Sequence, residues 1–217
     1  MHSIRACLLI SCTMLLSGCV FDSIDGSGHI ITEPRTVAGF SNVSLSGSGQ
    51  VVIEQTGTES LTVTTDDNLL PYIKAEVRGE TLELGSTNSM PNIRPTNEII
   101  FRLTVKKLDG LDVSGSGKAE ARGVNADGIR IHISGSGNIS AQGTADDLDL
   151  SISGSGGYRG EELKTKRATV GISGSGRAVI AVNETLNANV SGSGSIEYSG
   201  DPQISQHISG SGSVRRR

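Results

Sequence analysis

The chain has 217 residues, 19 Lys+Arg against 23 Asp+Glu, and a formal net charge of −4. Glycine supplies 29 residues and serine 30, over a quarter of the chain, whereas Phe and Tyr number three each and Trp is absent. That length holds one domain, or two small ones, with a real core. The mild acidity argues against a nucleic-acid partner, whose phosphates are neutralised by Lys and Arg. The scarcity of rings requires thin core layers of Val, Ile, Leu and Ala, which suits stacked sheets.

The chain opens MHSIRACLLISCTMLLSGC. Arg5 precedes an apolar run over residues 6–16, broken by Ser11 and Thr13. The run is too short to cross about 30 Å of hydrocarbon as a helix, and its pattern is that of a secretory signal. Leu16-Ser17-Gly18-Cys19 resembles the bacterial lipoprotein box. The resemblance implies cleavage before Cys19, diacylglycerol on its sulfur and acylation of the new amino group. Such acyl chains anchor firmly together, each buried methylene adding about 0.8 kcal/mol. Cys7, Cys12 and Cys19 are the only cysteines, so cleavage would leave no thiol for a disulfide, a metal site or a nucleophile. Val20 stands where an aspartate linked to inner-membrane retention would follow the lipid cysteine, which favours the outer membrane. Residues 1–18 therefore read as a signal peptide and 19–28 as a tether.

The rest is organised by a repeat. Ser-Gly-Ser-Gly recurs at 46–49, 114–117, 134–137, 153–156, 173–176, 191–194 and 209–212, with a variant, Asp25-Gly26-Ser27-Gly28. Its glycines are Gly47, Gly49, Gly115, Gly117, Gly135, Gly137, Gly154, Gly156, Gly174, Gly176, Gly192, Gly194, Gly210 and Gly212. From Gly115 onward the copies are 18–20 residues apart. Before each lies an alternation, such as Ile129/Ile131/Ile133 or Leu148/Leu150/Ile152, and after it a shorter one, such as Ile139/Ala141. Period two means a strand with one buried face.

A unit of strand, glycine corner, short strand and polar return cannot bury its apolar side alone, so units must stack. This predicts an all-β fold, a parallel β-helix or similar β-solenoid over residues 29–217. Glycine suits the corner because it accepts φ > 0 and has no Cβ to strike the corner above. Stacked corner serines are expected to form hydroxyl columns. Residues 58–105 are less regular, with candidate strands over 61–63, 72–77, 81–84 and 99–105 and a loop over 86–97 holding Pro91 and Pro95. They read as less regular coils.

In register, an outward column runs Asp112, His132, Ser151, Gly171, Asn189, His207. Its histidines would lie four coils apart, about 19 Å at 4.8 Å per coil, too far to share a metal. A second column runs Asp127, Asp146, Lys166, Glu184, Pro202. The pair Asp127 and Asp146 could serve a polysaccharide-active β-helix enzyme, but Lys166 between carboxylates reads as a solvated ion-pair ladder. Dinucleotide, P-loop and calcium-roll fingerprints fail on spacing, and no Gly-x-Ser-x-Gly elbow occurs. No cofactor and no metal site is expected. Arg216, in a column otherwise holding Ala121, Ala141 and Ile180, would block a further strand at the last coil.

The spaced Ser-Gly-Ser-Gly copies, with Asp67-Asn68-Leu69-Leu70-Pro71-Tyr72-Ile73 and Thr81-Leu82-Glu83-Leu84, resemble the family of putative auto-transporter adhesins with a head GIN domain. The resemblance runs over about residues 40–213. It implies a right-handed β-helix-like fold and an envelope location, and carries no catalytic residues. The chain shows no translocating barrel, so anchoring is expected through lipid. The expected function is adhesion, scaffolding or binding at the envelope, the ligand being a glycan or an envelope protein; the polysaccharide enzyme is the alternative.

Overall fold

The computed structural model describes residues 23–87 and 92–217. The signal segment, Cys19 and residues 88–91 of the 86–97 loop lie outside the described residues. The strands, in chain order, are β1 (Ser23–Asp25), β2 (Ile30–Arg35), β3 (Asn42–Gly47), β4 (Gln50–Gln55), β5 (Ser60–Asp66), β6 (Ile73–Arg78), β7 (Thr81–Ser86), β8 (Asn92–Arg94) and β9 (Ile100–Val105). They continue with β10 (Gly110–Gly115), β11 (Lys118–Gly135), β12 (Asn138–Gly154), β13 (Gly157–Gly174), β14 (Arg177–Gly192), β15 (Ser195–Ser199), β16 (Gln203–Gly210) and β17 (Ser213–Arg216). The one helical element among the described residues is a 3-10 turn, Asp67–Tyr72.

Successive coils pile up in parallel register, as the repeat predicts. Leu111, Ile131, Leu150, Val170 and Ala188 form one interior column, and Val113, Ile133, Ile152, Ile172 and Val190 the next. All ten are buried. They face short columns from the strand after each corner, including Ala119, Ile139, Tyr158, Ala178 and Ile196. The interior is one thin aliphatic layer. The polar return expected between copies is itself strand, since β11 to β14 each run unbroken from one corner to the next. Differences in coil length are absorbed there: Gly160 pairs with Ile180 and Lys164 with Ala181, so residues 161–163 have no partner on β14 while both corners stay aligned.

In the corners from Gly115 onward both glycines have a physical reason, and the reasons differ. Gly135 has φ +106°, and a Cβ there would stand 2.7 Å from the carbonyl oxygen of Gly115 in the preceding coil. Gly137 is not in that conformation; its Cβ would meet the Cγ1 of Val113 at 2.5 Å. The first glycine lets the backbone turn under its neighbour, and the second leaves room for an interior side chain one coil away. Backbone hydrogen bonds tie the corners, with Ser136 N–H donating to Gly115 O (2.8 Å) and Asn138 N–H to Gly117 O (3.0 Å). The expected hydroxyl columns are not what joins them. The corner serines are largely solvent-exposed, and among the described residues their hydroxyls make no bond along the stack.

The region from β5 to β9 departs from coil order. The expectation of successive less regular coils is corrected by the pairing. β7 stacks on β3 and β9 on β4, so they form the coil before β3–β4 in space although they follow it in sequence. β10 then returns to the other side of β3. β5, β2 and β6 pair antiparallel and close this end of the stack. The variant Asp25-Gly26-Ser27-Gly28 is not a stacked corner either. β1 pairs with β8 in a separate two-stranded sheet, so residues 23–28 of the expected tether are built into the fold.

Tyr158 is the largest fully buried side chain. It fits because a Cβ on Gly160 would fall on the tyrosine ring and hydroxyl. Among the described residues its hydroxyl has no hydrogen-bond partner, and burial pushes its pKa up. A buried hydroxyl without a partner costs about 1–3 kcal/mol. Tyr158→Phe, which keeps the ring, is therefore expected to stabilise the protein by about 1 kcal/mol, read as a shift of the urea midpoint at constant slope. A loss of stability would mean the hydroxyl has a partner.

Candidate functional site

The ladder puts the sequence-predicted columns where they were expected. Asp112, His132, Ser151, Gly171, Asn189 and His207 pair in succession, so the two histidines lie four coils apart. Among the described residues no group of three or more His, Cys, Asp or Glu could hold a metal. Asp112 is half-buried between coils, and that burial raises its pKa, with the His132 and Arg130 charges pulling the other way.

In the second column Asp146 and Glu184 are engaged by cations. Lys166 Nζ lies 2.8 Å from Asp146 Oδ1. One residue along, Arg167 donates through Nε and Nη2 to the two oxygens of Asp147, at 2.6 and 2.7 Å. Arg167 also approaches Glu184 at 3.6 Å. The Arg167 hydrogen bond holds Asp147 below the usual carboxylate range, and Asp146 raises Lys166. These are half-exposed pairs, screened by solvent, so each contributes little to stability. Asp146 is thus an ion-pair partner.

Two open grooves cross the walls of the solenoid. One, of about 530 Å³, runs over the wall that precedes the corners and is lined by Arg130, Asp149, Arg167, Thr169, Thr185 and Asn187, among others. The other, of about 540 Å³, lies on the wall after the corners and includes Asn138, Arg159, Arg177, Glu197 and Arg217. Each presents hydrogen-bonding side chains from adjacent coils, at the strand interval of about 4.8 Å.

A third arrangement was not foreseen from sequence. Asp66 is fully buried at the end of β5. Gly28 N–H donates to its Oδ1 (2.8 Å), Thr96 N–H to its Oδ2 (2.9 Å) and the Thr96 hydroxyl to Oδ1 (2.7 Å). The Thr96 hydroxyl bond leads the interactions that depress its pKa. Beside it, the Ser27 hydroxyl donates to Asp67 Oδ1 (2.5 Å), Ser27 N–H to Asn68 Oδ1 (2.9 Å), and the Asn68 amide to Asp25 O (2.9 Å). Asp66, Asp67 and Asn68 therefore clasp residues 25–28, while Leu69 and Leu70 bury themselves below. The available signal was an acidic pair beside an asparagine, ahead of a proline turn and matched by a glycine-rich segment far away in sequence.

The model of one protein family, described as "putative auto-transporter adhesin, head GIN domain", matches residues 39–202. The chain belongs to that family. The match includes the Asp67-Asn68-Leu69-Leu70-Pro71 segment, so the part of the family resemblance that looked like a signature is the clasp and its supporting turn. A solved structure of a putative adhesin from Bacteroides fragilis shares the fold, with TM-score 0.74 and 23% identity over 89% of this chain and all of that one. Two structures from Parabacteroides distasonis each align over 90% of this chain and their whole length. One is a putative lipid binding protein (27% identity, TM-score 0.59) and the other a putative adhesin (25%, 0.58). No curated protein matches the chain. GIN-family membership and these neighbours support a binding role at the cell surface or envelope.

Proposed function

We propose that this GIN-family protein is a lipid-anchored, non-catalytic binding module of the envelope that holds an extended polar ligand, a glycan or an envelope protein, along its walls. The observation that carries the reading is the groove of Arg130, Asp149, Thr169 and Asn187, a row of donors and acceptors repeating coil by coil on a rigid sheet. Such a row suits a polymer with its own short repeat better than a compact substrate. Residue 19 supplies the anchor: Cys19 carries the acyl chains, a few residues before the first described strand, β1 at Ser23. With Val20 after the lipid cysteine, the outer membrane is the favoured address.

Two measurements test the parts separately. Radiolabelled palmitate is expected to enter the wild-type protein and to be absent from Cys19→Ser, which should leave the membrane fraction; equal labelling would remove the anchor. Binding to a panel of envelope glycans and envelope proteins is expected, and Arg130→Ala with Asn187→Ala should weaken it about tenfold or more, as losing two hydrogen bonds to a ligand does. Binding unaffected by both changes would move the site elsewhere, and a silent panel would defeat the binding reading.

A further inference from the structure

The two ends of the stack are finished differently. At the N-terminal end the outermost strands are β2, which contains Pro34, and β6, which carries Lys74, Glu76 and Arg78. Proline and charge are the usual guards of a sheet edge. At the other end the outermost strand of the wall before the corners is β16, Gln-Ile-Ser-Gln-His-Ile-Ser-Gly, with no proline and no Asp, Glu, Lys or Arg. It bonds only to β14, and all eight residues are exposed. Ile204 and Ile208, 42% and 37% exposed, continue the interior columns of Leu186 and Val190, and among the described residues no strand covers them.

We propose that β16 pairs with β16 of a second copy of this chain, antiparallel, about a two-fold axis at Gln206. The strand is complementary to itself in that register. Ile204 would face Ile208 of the other copy, Ser205 would face His207, and Gln206 would face itself. On the inward side the two isoleucines then meet on either flank of a central Gln206 pair, whose amides can bond each other, and on the outward side Ser205 meets His207. A shift by one residue would place Ile204 opposite His207 and lose this match. The edge brings no like charges together. The arginines of the neighbouring strand are already matched within the chain, Arg215 by Glu197 (2.5 Å), Arg216 by Asp201 (3.2 Å) and Arg217 by Glu161 (3.9 Å). Arg216 stands in register with Tyr198 on β17, and β16 itself carries no cation.

The size of the end face sets the strength. Eight residues at about 3.3 Å each, across two walls about 10 Å apart plus side chains, give roughly 500 Å² per copy. Both copies together bury on the order of 1,000 Å², the low end for specific association, so the dimer is reversible.

Gln206→Cys in the full-length protein tests the axis directly, because only at the axis does a residue face its own copy. Mild oxidation in native membranes is expected to give a disulfide-linked dimer, whereas Asn189→Cys, one coil inward on the same wall, gives none. Sedimentation of the purified full-length protein should show a mass rising with concentration toward two chains. Ile208→Lys should weaken that association tenfold or more with an unchanged melting temperature. A wild-type mass that stays at one chain at every concentration would overturn the proposal, as would bridging by Gln206→Cys no faster than by Asn189→Cys.

Discussion

Gly135→Ala is expected to cost far more than Gly137→Ala, and only the second should be rescued from elsewhere. At Gly135 a side chain must adopt φ +106° and its Cβ must stand 2.7 Å from the Gly115 carbonyl oxygen, a backbone atom fixed by the coil beneath. The conformation alone costs about 1–3 kcal/mol, and separating two coils adds the loss of corner hydrogen bonds at about 1 kcal/mol each. A total of about 3 kcal/mol or more corresponds to a fall in melting temperature of roughly 10 °C for a chain of this size. Gly135→Val, branched at the same atom, should not fold stably. At Gly137 the nearest obstacle is the Cγ1 of Val113, the end of a side chain, with the Gly117 carbonyl oxygen at 3.0 Å behind it. Alanine there overpacks the interior by about 1–3 kcal/mol, and in a Val113→Ala background most of that cost should disappear, leaving the milder approach to the Gly117 oxygen. A thermodynamic cycle over Gly137→Ala and Val113→Ala is therefore expected to show favourable coupling of about 1–2 kcal/mol. A cycle pairing Gly135→Ala with the same valine change should show none. Equal tolerance at both glycines, or equal rescue, would defeat this account of the corner.

The same contrast separates what could be read from the sequence from what could not. The coil was legible because its two signals are local and repeated. Alternation at Leu148, Leu150 and Ile152 marks one buried face, and the spacing of Gly135, Gly154 and Gly174 marks where each turn closes. Pairing at the N-terminal end was not legible, because a strand alternates in the same way whether its neighbour is parallel or antiparallel. Nothing in residues 60–66 says that β5 pairs antiparallel with β9, or that β7 stacks on a strand almost forty residues before it. The serine columns misled because a repeated hydroxyl suggests a ladder, yet the turn at the first glycine leaves both flanking serines facing water. Tyr158 could have been placed by size alone, since Gly160 stands two residues on, on the same face, and vacates the volume that the ring fills. The ion pair of Asp146 with Lys166 follows from column arithmetic, because the two stand in one column on successive coils. Asp66 was invisible for the opposite reason. Its donors, Gly28 and Thr96, come from segments without periodicity, so no column pointed to it.

Acid is expected to open the clasp before it melts the coils. Asp66 accepts three hydrogen bonds while fully buried, and they favour its ionised form, so its folded-state pKa lies below the ordinary carboxylate value of about 4. The sign follows from linkage. A group whose pKa is depressed by folding contributes its full stabilisation above the unfolded value, and that contribution disappears as pH falls through the folded value. Asp67 adds to the same trend, because the Ser27 hydroxyl and then the Asn68 N–H also favour its charged form. The amides of Gly28 and Thr96 should therefore exchange hydrogen slowly at neutral pH and lose protection on acidification below about pH 4, while amides of β12 and β13 remain protected. Asp66→Asn presents an NH2 group to a site built of donors, so at neutral pH these two amides should exchange roughly tenfold faster or more. The difference from wild type should shrink as acid protonates the native carboxylate. A difference that stayed constant with pH would assign the effect to shape and not to charge. Unchanged exchange at Gly28 and Thr96 in Asp66→Asn would mean that residues 25–28 are held by β1 pairing with β8 and not by the buried carboxylate.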